Sequence, residues 1–176
     1  MRRPIYFVPV RVALALIAAS LSGADSVSGS AVTRLCQHVK ARKIMYVDRS
    51  QPEIIWSDGA MFEIARTFPR ELQELIASPT STRDLRLILK RMSPDPAQGW
   101  QEAKIVKLGR GQERAVVESG DGKLTLHVAS PYFDYVHERY PGARLWIKDP
   151  LNAVLFIVDG TLRASVMPIA GPASAR

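Results

Sequence analysis

Three Asp-Gly dipeptides, each beside a strand-like run, constrain this chain more than any other feature. Asp58-Gly59 follows Ile54, Ile55 and Trp56; Asp121-Gly122 separates 115–118 from 123–128; Asp159-Gly160 separates 153–158 from 161–167. Glycine, and to a lesser extent aspartate, tolerates the positive φ that tight hairpins need. Three such turns flanked by β-forming runs predict an antiparallel sheet built from hairpins.

The flanking runs show which residues face inward. Leu124, Leu126 and Val128 alternate with Lys123, Thr125 and His127; Leu145 and Ile147 alternate with Arg144, Trp146 and Lys148; Leu162, Ala164 and Val166 alternate with Thr161, Arg163 and Ser165. A period of two puts one set in a core and the other toward solvent. The run 153–158 is apolar throughout and predicts a central strand. Gly109-Arg110-Gly111 reads as the tip of a further hairpin between 104–108 and 113–117.

A short helix interrupts this pattern. Ser130 is a capping residue, Pro131 suits a first turn that needs no amide donor, and Pro141-Gly142 stops the helix. Tyr132, Val136 and Tyr140 fall on one stripe with Phe133 beside it, a packing surface against the sheet. Residues 31–43 also read as a helix, with Ala31, Leu35, Cys36 and Val39 inward and Arg34, His38, Lys40, Arg42 and Lys43 left for solvent or a partner. Residues 60–66 are expected as a strand after the Asp58-Gly59 turn. Pro69 then opens a helix carrying Leu72, Leu75 and Ile76, and a second helix holds Leu85, Ile88, Leu89 and Met92 with Arg83, Arg86 and Lys90 on its other side. No internal repeat follows from spacing alone.

Charge is unevenly spread. Residues 1–50 carry eight Lys/Arg against Asp25 and Asp48, while residues 51–176 carry sixteen against fifteen, so nearly all of the net +7 sits at the start. Such asymmetry points to an anionic partner, nucleic acid or membrane surface, with a solvated basic face as the plain alternative. Residues 1–24 have two readings. Arg2, Arg3 and Arg11 before the apolar run 12–21 and then Ser22, Gly23 and Ala24 have the layout of a secretory signal. The same stretch reads as a strand over Ile5–Val8 and a helix with Leu14, Ala15, Ala18 and Leu21 at helical spacing.

Several chemistries lack their signatures. Neither standard phosphate-binding glycine loop is present, nor a Cys/His zinc pattern, nor a Gly-x-Ser-x-Gly elbow. His38, His127 and His137 are scattered; His137 and Asp134, three apart on the helix, read as a local surface pair. Cys36 is alone, which excludes a disulfide within one chain and reads as a small buried apolar residue. The carboxylates are dispersed, so no catalytic group and no cofactor or metal is assigned.

The stretch 122–169 resembles the end of the last domain of a bacterial sliding clamp, the β subunit of DNA polymerase III. The resemblance rests on Gly-Lys-Leu-Thr-Leu-His-Val from Gly122, the helix 132–140, Ala-Arg-Leu-Trp-Ile-Lys from Ala143, Asp149-Pro150-Leu151 before Val154-Leu155-Phe156-Ile157, and Ser165-Val166-Met167-Pro168-Ile169. More loosely, 4–21 is similar to the family's opening strand and first helix, 53–66 to the next hairpin and 103–118 to the strands before Gly122. The helices at 69–92 have no family counterpart.

The resemblance implies an α+β, DNA-clamp-like domain over 1–170, an antiparallel sheet with two helices packed on one face, a helical insertion over 69–98, and a tail at 171–176. In the family the helices face the hole of a ring, which is basic and holds duplex DNA through phosphates and water. That is sequence-independent, salt-sensitive binding. Arg11 lies on the matched first helix; Arg34, Lys40, Arg42, Lys43, Arg83, Arg86 and Lys90 are further basic candidates outside the matched motifs. Met167, Pro168 and Ile169 match the positions that receive a short peptide from polymerases. The implied partners are duplex DNA, a DNA polymerase or other replication protein, and further copies or a partner clamp, since family chains hold three domains and this one has room for one. Family members are usually acidic and this chain is basic. The expected location is cytoplasmic. The competing expectation is a small exported α+β protein that loses residues 1–24.

Overall fold

The computed structural model describes residues 27–42, 46–49, 52–77, 85, 89, 92–110 and 112–169. Their fold is α+β: nine antiparallel strands in one sheet with three α-helices. In chain order the elements are α1 (Gly29–Arg42), β1 (Tyr46–Asp48), β2 (Ile54–Ser57), β3 (Met61–Ala65), α2 (Arg70–Ala77), β4 (Gln101–Lys107), β5 (Arg114–Ser119), β6 (Thr125–Ala129), α3 (Ser130–Arg139), β7 (Arg144–Ile147), β8 (Val154–Val158) and β9 (Thr161–Val166). A 3-10 turn, Pro96–Gln98, precedes β4.

The strand order β1-β2-β3-β9-β8-β7-β4-β5-β6 reveals a repeat that the sequence pattern hides. A helix followed by a three-strand meander occurs twice, as α1-β1-β2-β3 and as α3-β7-β8-β9. The two meanders join through their last strands, β3 and β9, in register Met61↔Val166 and Glu63↔Ala164. Asp58 stands as far beyond the start of α1 as Asp159 does beyond the start of α3. Little else in the two halves matches residue for residue, because a meander demands only the alternation and the turn.

The two turns show how one dipeptide serves two purposes. At Asp159-Gly160 both residues have positive φ (49° and 73°), the backbone that matches the right-handed twist of a two-residue hairpin. At Asp58-Gly59 only the glycine does, at φ 89°, and Asp58 is buried with its carboxylate accepting the amides of Ala60 and Met61.

The sheet curves strongly. After β9 the chain runs on to the far edge, where Pro168 bridges Val128 and the Ile169 amide donates to the His127 carbonyl at 2.7 Å. Strands β4 to β9 thus wrap around α3, which contacts β5, β6 and β9. Tyr132, Phe133, Tyr135 and Val136 are each at most 1% exposed. Burying a side chain of this size contributes about 1.5–3 kcal/mol, so this one helix anchors much of the core. The expected stripe of Tyr132, Val136 and Tyr140 is there, and α3 is also buried on the side that carries Phe133 and Tyr135.

β8 lies in the middle of the sheet, as its continuous apolar run predicts, and is covered on both faces. Val154 and Phe156 join the main core, while Leu155 and Ile157 pack with Trp100 and Ala153 in a second cluster beneath Met92 and Trp146. β9 departs from simple alternation. Its register against β8 shifts between Phe156 and Ile157, so Ala164 and Val166 face the main core but Leu162 turns to the second cluster. A bulge inserts one residue and reverses the faces beyond it, which pattern reading cannot see.

The expected strand at 60–66 is β3, and the hairpin around Gly109-Arg110-Gly111 is β4–β5. Pro69 precedes α2 as expected, but α2 is no peripheral appendage: Leu72 and Ile76 enter the main core and the helix packs on α1. Of the residues expected on the second insertion helix, Leu85, Leu89 and Met92 fall within the described residues. Ser130 does not cap α3. Ala129 takes the cap position, and the Ser130 hydroxyl lies inside the first turn, donating to Asp134 at 2.8 Å.

Candidate functional site

α1 and α3 lie antiparallel against one another on one side of the sheet, and polar contacts at two places and a ring contact mark their seam. At one end Glu138 of α3 accepts the backbone amide (2.9 Å) and hydroxyl (2.7 Å) of Ser28, which precedes α1. An acid at a helix N-terminus satisfies amides that have no partner within the helix and complements its dipole. In the middle Arg34 reaches Asp134 at 3.4 Å, and further along His38 meets the Tyr132 ring edge-on at 5.0 Å. Past the start of α3, Arg42 reaches Asp58 of the β2–β3 turn at 3.5 Å. The helix beside the tyrosine-rich helix is therefore 29–42. Residues 4–21, expected in that place, lie outside the described residues.

This seam decides the fate of the basic candidates. Arg34 and Arg42 sit on the inner edge of α1 because Asp134 and Asp58 are buried, and a buried carboxylate demands a nearby cation or several donors. Both arginines keep part of their surface in water, with 31% and 42% of the side chain exposed. Lys40 is exposed on the outer face of α1. Arg11, Lys43, Arg83, Arg86 and Lys90 lie outside the described residues. The described helix pair thus offers one outward lysine and two half-engaged arginines.

The tyrosine-rich helix holds the two halves of the molecule together through two buried carboxylates that no local motif announces. Glu63, in the centre of β3 and fully buried, accepts from the Trp56 indole at 3.1 Å and from the hydroxyls of Tyr135 and Tyr140 at 3.0 Å each, and is paired with the Arg139 guanidinium. Arg139 also donates to the Thr67 carbonyl and lies over the Phe68 ring. Asp58 accepts from Tyr132 as well as from its own turn. Burial raises the pKa of Tyr132, Tyr135 and Tyr140 well above that of free tyrosine, and the adjacent carboxylates raise it further, so these hydroxyls stay protonated as donors. Glu63 has four donors for its roughly four lone-pair positions and none left for a substrate. The arrangement is a bolt between the halves rather than an acid–base pair. A glutamate inside an otherwise apolar strand was the one sequence signal that could have disclosed it.

Asp134 and His137 do not form the surface pair expected of them. Asp134 turns inward, accepting the Gly109 amide at 3.1 Å and the Ser130 hydroxyl, and His137 stacks on Phe133.

The C-terminal positions divide in the same way. Pro168 and Ile169 are taken up by the backbone contacts to β6, and the Met167 amide donates to Ala60. The side chain of Met167 lines a cleft of about 170 Å³ together with Met61, Phe62, Leu85, Leu89 and Met92. Of the three residues matched to a peptide site, Met167 is the one that lines this cleft. Among the described residues no cluster of His, Cys, Asp and Glu is arranged to hold a metal ion, and no helix is long and apolar enough to cross a membrane.

No protein-family model matches this chain, and neither a curated protein nor a solved structure does.

Proposed function

We propose that this protein is a sliding-clamp-like accessory of DNA replication, which holds duplex DNA by its phosphates without reading bases and receives a short partner peptide near Met167. The observation that carries the reading is the doubled unit: two helices, one from each half, side by side on one side of a continuous antiparallel sheet whose halves meet at β3 and β9. The resemblance over 122–169 implies two helices on one face of such a sheet, and in this reading 29–42 takes the place expected of 4–21. In this reading Lys40, Arg34 and Arg42 meet the backbone of the duplex, and several copies or a partner clamp complete a ring.

The test is fluorescence anisotropy with duplexes of two unrelated sequences at about 50 and 200 mM salt. Neutralising about three phosphates gives a log–log slope of about −2.7, so affinity should fall roughly fortyfold over that range for both duplexes alike. Lys40→Gln should reduce the slope by about 0.9. Affinity that does not respond to salt, or that depends on sequence, refutes the reading.

The rival reading, an exported protein of unassigned activity, draws on the layout of residues 1–24: Arg2, Arg3 and Arg11, the apolar run 12–21, and then Ser22, Gly23 and Ala24. Intact mass after expression in a bacterial host separates the two, since export removes about 24 residues at the small-residue site.

A further inference from the structure

Where the first turn of α1, the last turn of α3 and the β4–β5 loop meet, they enclose an open cleft of about 730 Å³. Its charged and polar walls are Arg34, Arg110, His137, Asp134 and Glu138, with Leu108 and Pro141 as apolar surfaces. The balance of hydrogen-bonding groups in it is one-sided. Both acids already hold donors: Asp134 the Gly109 amide, the Ser130 hydroxyl and Arg34, and Glu138, at its Oε2, the amide and hydroxyl of Ser28. The donors are not supplied with acceptors. Arg110 forms no ion pair or hydrogen bond among the described residues, and His137 makes only its stacking contact with Phe133. Arg34 is held by one contact of 3.4 Å while its Nε–H is buried without an acceptor, so its guanidinium loses little by turning toward an anion.

The loop that presents Arg110 is built for position. A Cβ on Gly109 would stand 1.7 Å from the Ser130 hydroxyl oxygen, so this residue must be glycine for the loop to sit against α3, and its amide is tied to Asp134. Arg110 itself has φ 39°, left-handed backbone that an arginine adopts only at an energetic cost. Such outliers persist where the surroundings enforce them and concentrate at ligand sites.

From this geometry we infer that the cleft binds a phosphate group, gripped by Arg110, Arg34 and His137, with Leu108 and Pro141 against the body that carries it. The phosphate belongs to a small phosphorylated compound or to a nucleic-acid backbone. The site stands independently of the ring reading, because it needs neither a duplex nor a second copy.

The test is titration of the full chain with inorganic phosphate at constant ionic strength, chloride making up the balance, followed by amide NMR shifts and repeated with dAMP and with a short duplex. Saturable shifts centred on Gly109, Arg110 and His137 are expected, with Arg110→Gln weakening binding about tenfold, the effect of one lost charge-assisted hydrogen bond. His137→Gln, on a different element, should weaken it several-fold, while Lys123→Gln, outside the cleft, should leave it unchanged. A duplex that displaces phosphate assigns the site to backbone phosphates; one that does not assigns it to a free phosphorylated compound. Shifts that chloride reproduces, or affinity unaltered in both the Arg110 and His137 variants, overturn the inference.

Discussion

Replacing Glu63 by Gln should strongly destabilise the protein, although the two side chains have almost the same shape. Glu63 is fully buried and Arg139 has 3% of its side chain exposed, so removing the carboxylate charge strands a guanidinium away from water. Breaking one half of such a pair costs about 3–5 kcal/mol. The amide NH2 would in addition present a donor to a shell of donors: the Trp56 indole, the Tyr135 and Tyr140 hydroxyls and Arg139. Equilibrium urea unfolding, followed through tryptophan fluorescence because Trp56 donates to this carboxylate, measures the loss. In a thermal melt it corresponds to a midpoint roughly 10 °C lower. The double variant Glu63→Leu, Arg139→Met removes both charges and should recover part of the stability. It should remain about 2–3 kcal/mol below the natural protein, because three aromatic donors would then lack an acceptor at about 1 kcal/mol each. A Glu63→Gln protein within about 1 kcal/mol of the natural one would refute the claim that this ion pair bolts the halves together.

Three further outcomes follow from the same contacts. Tyr132→Phe leaves Asp58 with its turn amides and Arg42 but without the tyrosine hydroxyl, and should cost about 1.5–3 kcal/mol by the same unfolding measurement. Gly109→Ala sets a methyl group 1.7 Å from the Ser130 hydroxyl and 2.4 Å from its Cβ, so the β4–β5 loop must leave α3; exchange of the amide at position 109 should accelerate while β7 to β9 keep their protection. Cys36 should resist thiol reagents in the native protein, since burial, with Glu71 nearby, pushes its thiol up to about 11 from an ordinary 9.0. The native state holds this proton more tightly than the unfolded chain does. Its contribution is therefore complete below pH 9 and is lost as pH rises toward 11, a share of about 2–3 kcal/mol that Cys36→Ala should remove from the pH dependence, while the share of the raised tyrosine hydroxyls above pH 10 remains.

Much of this fold was legible in local pattern. Asp-Gly turns, alternating strands and a proline-led aromatic helix are each specified within about ten residues of sequence, where turn geometry and side-chain periodicity act directly. The strand β8 declared itself central because an apolar run needs cover on both faces, and Trp100 and Trp146 supply the second cover. Tertiary structure alone decided where the charges go. Arg34 and Arg42 occupy a helix face that by periodicity belongs to solvent, yet they turn to Asp134 and Asp58 because α3 and the β2–β3 turn bring buried acids against them. Glu63 meets partners more than seventy residues distant in the chain, and the β8–β9 bulge reverses Leu162 by a register shift no alternation records. Hydrophobic period and turn chemistry are properties of neighbouring residues. The pairing of a charge is a property of whatever the fold places beside it, which the linear sequence does not contain.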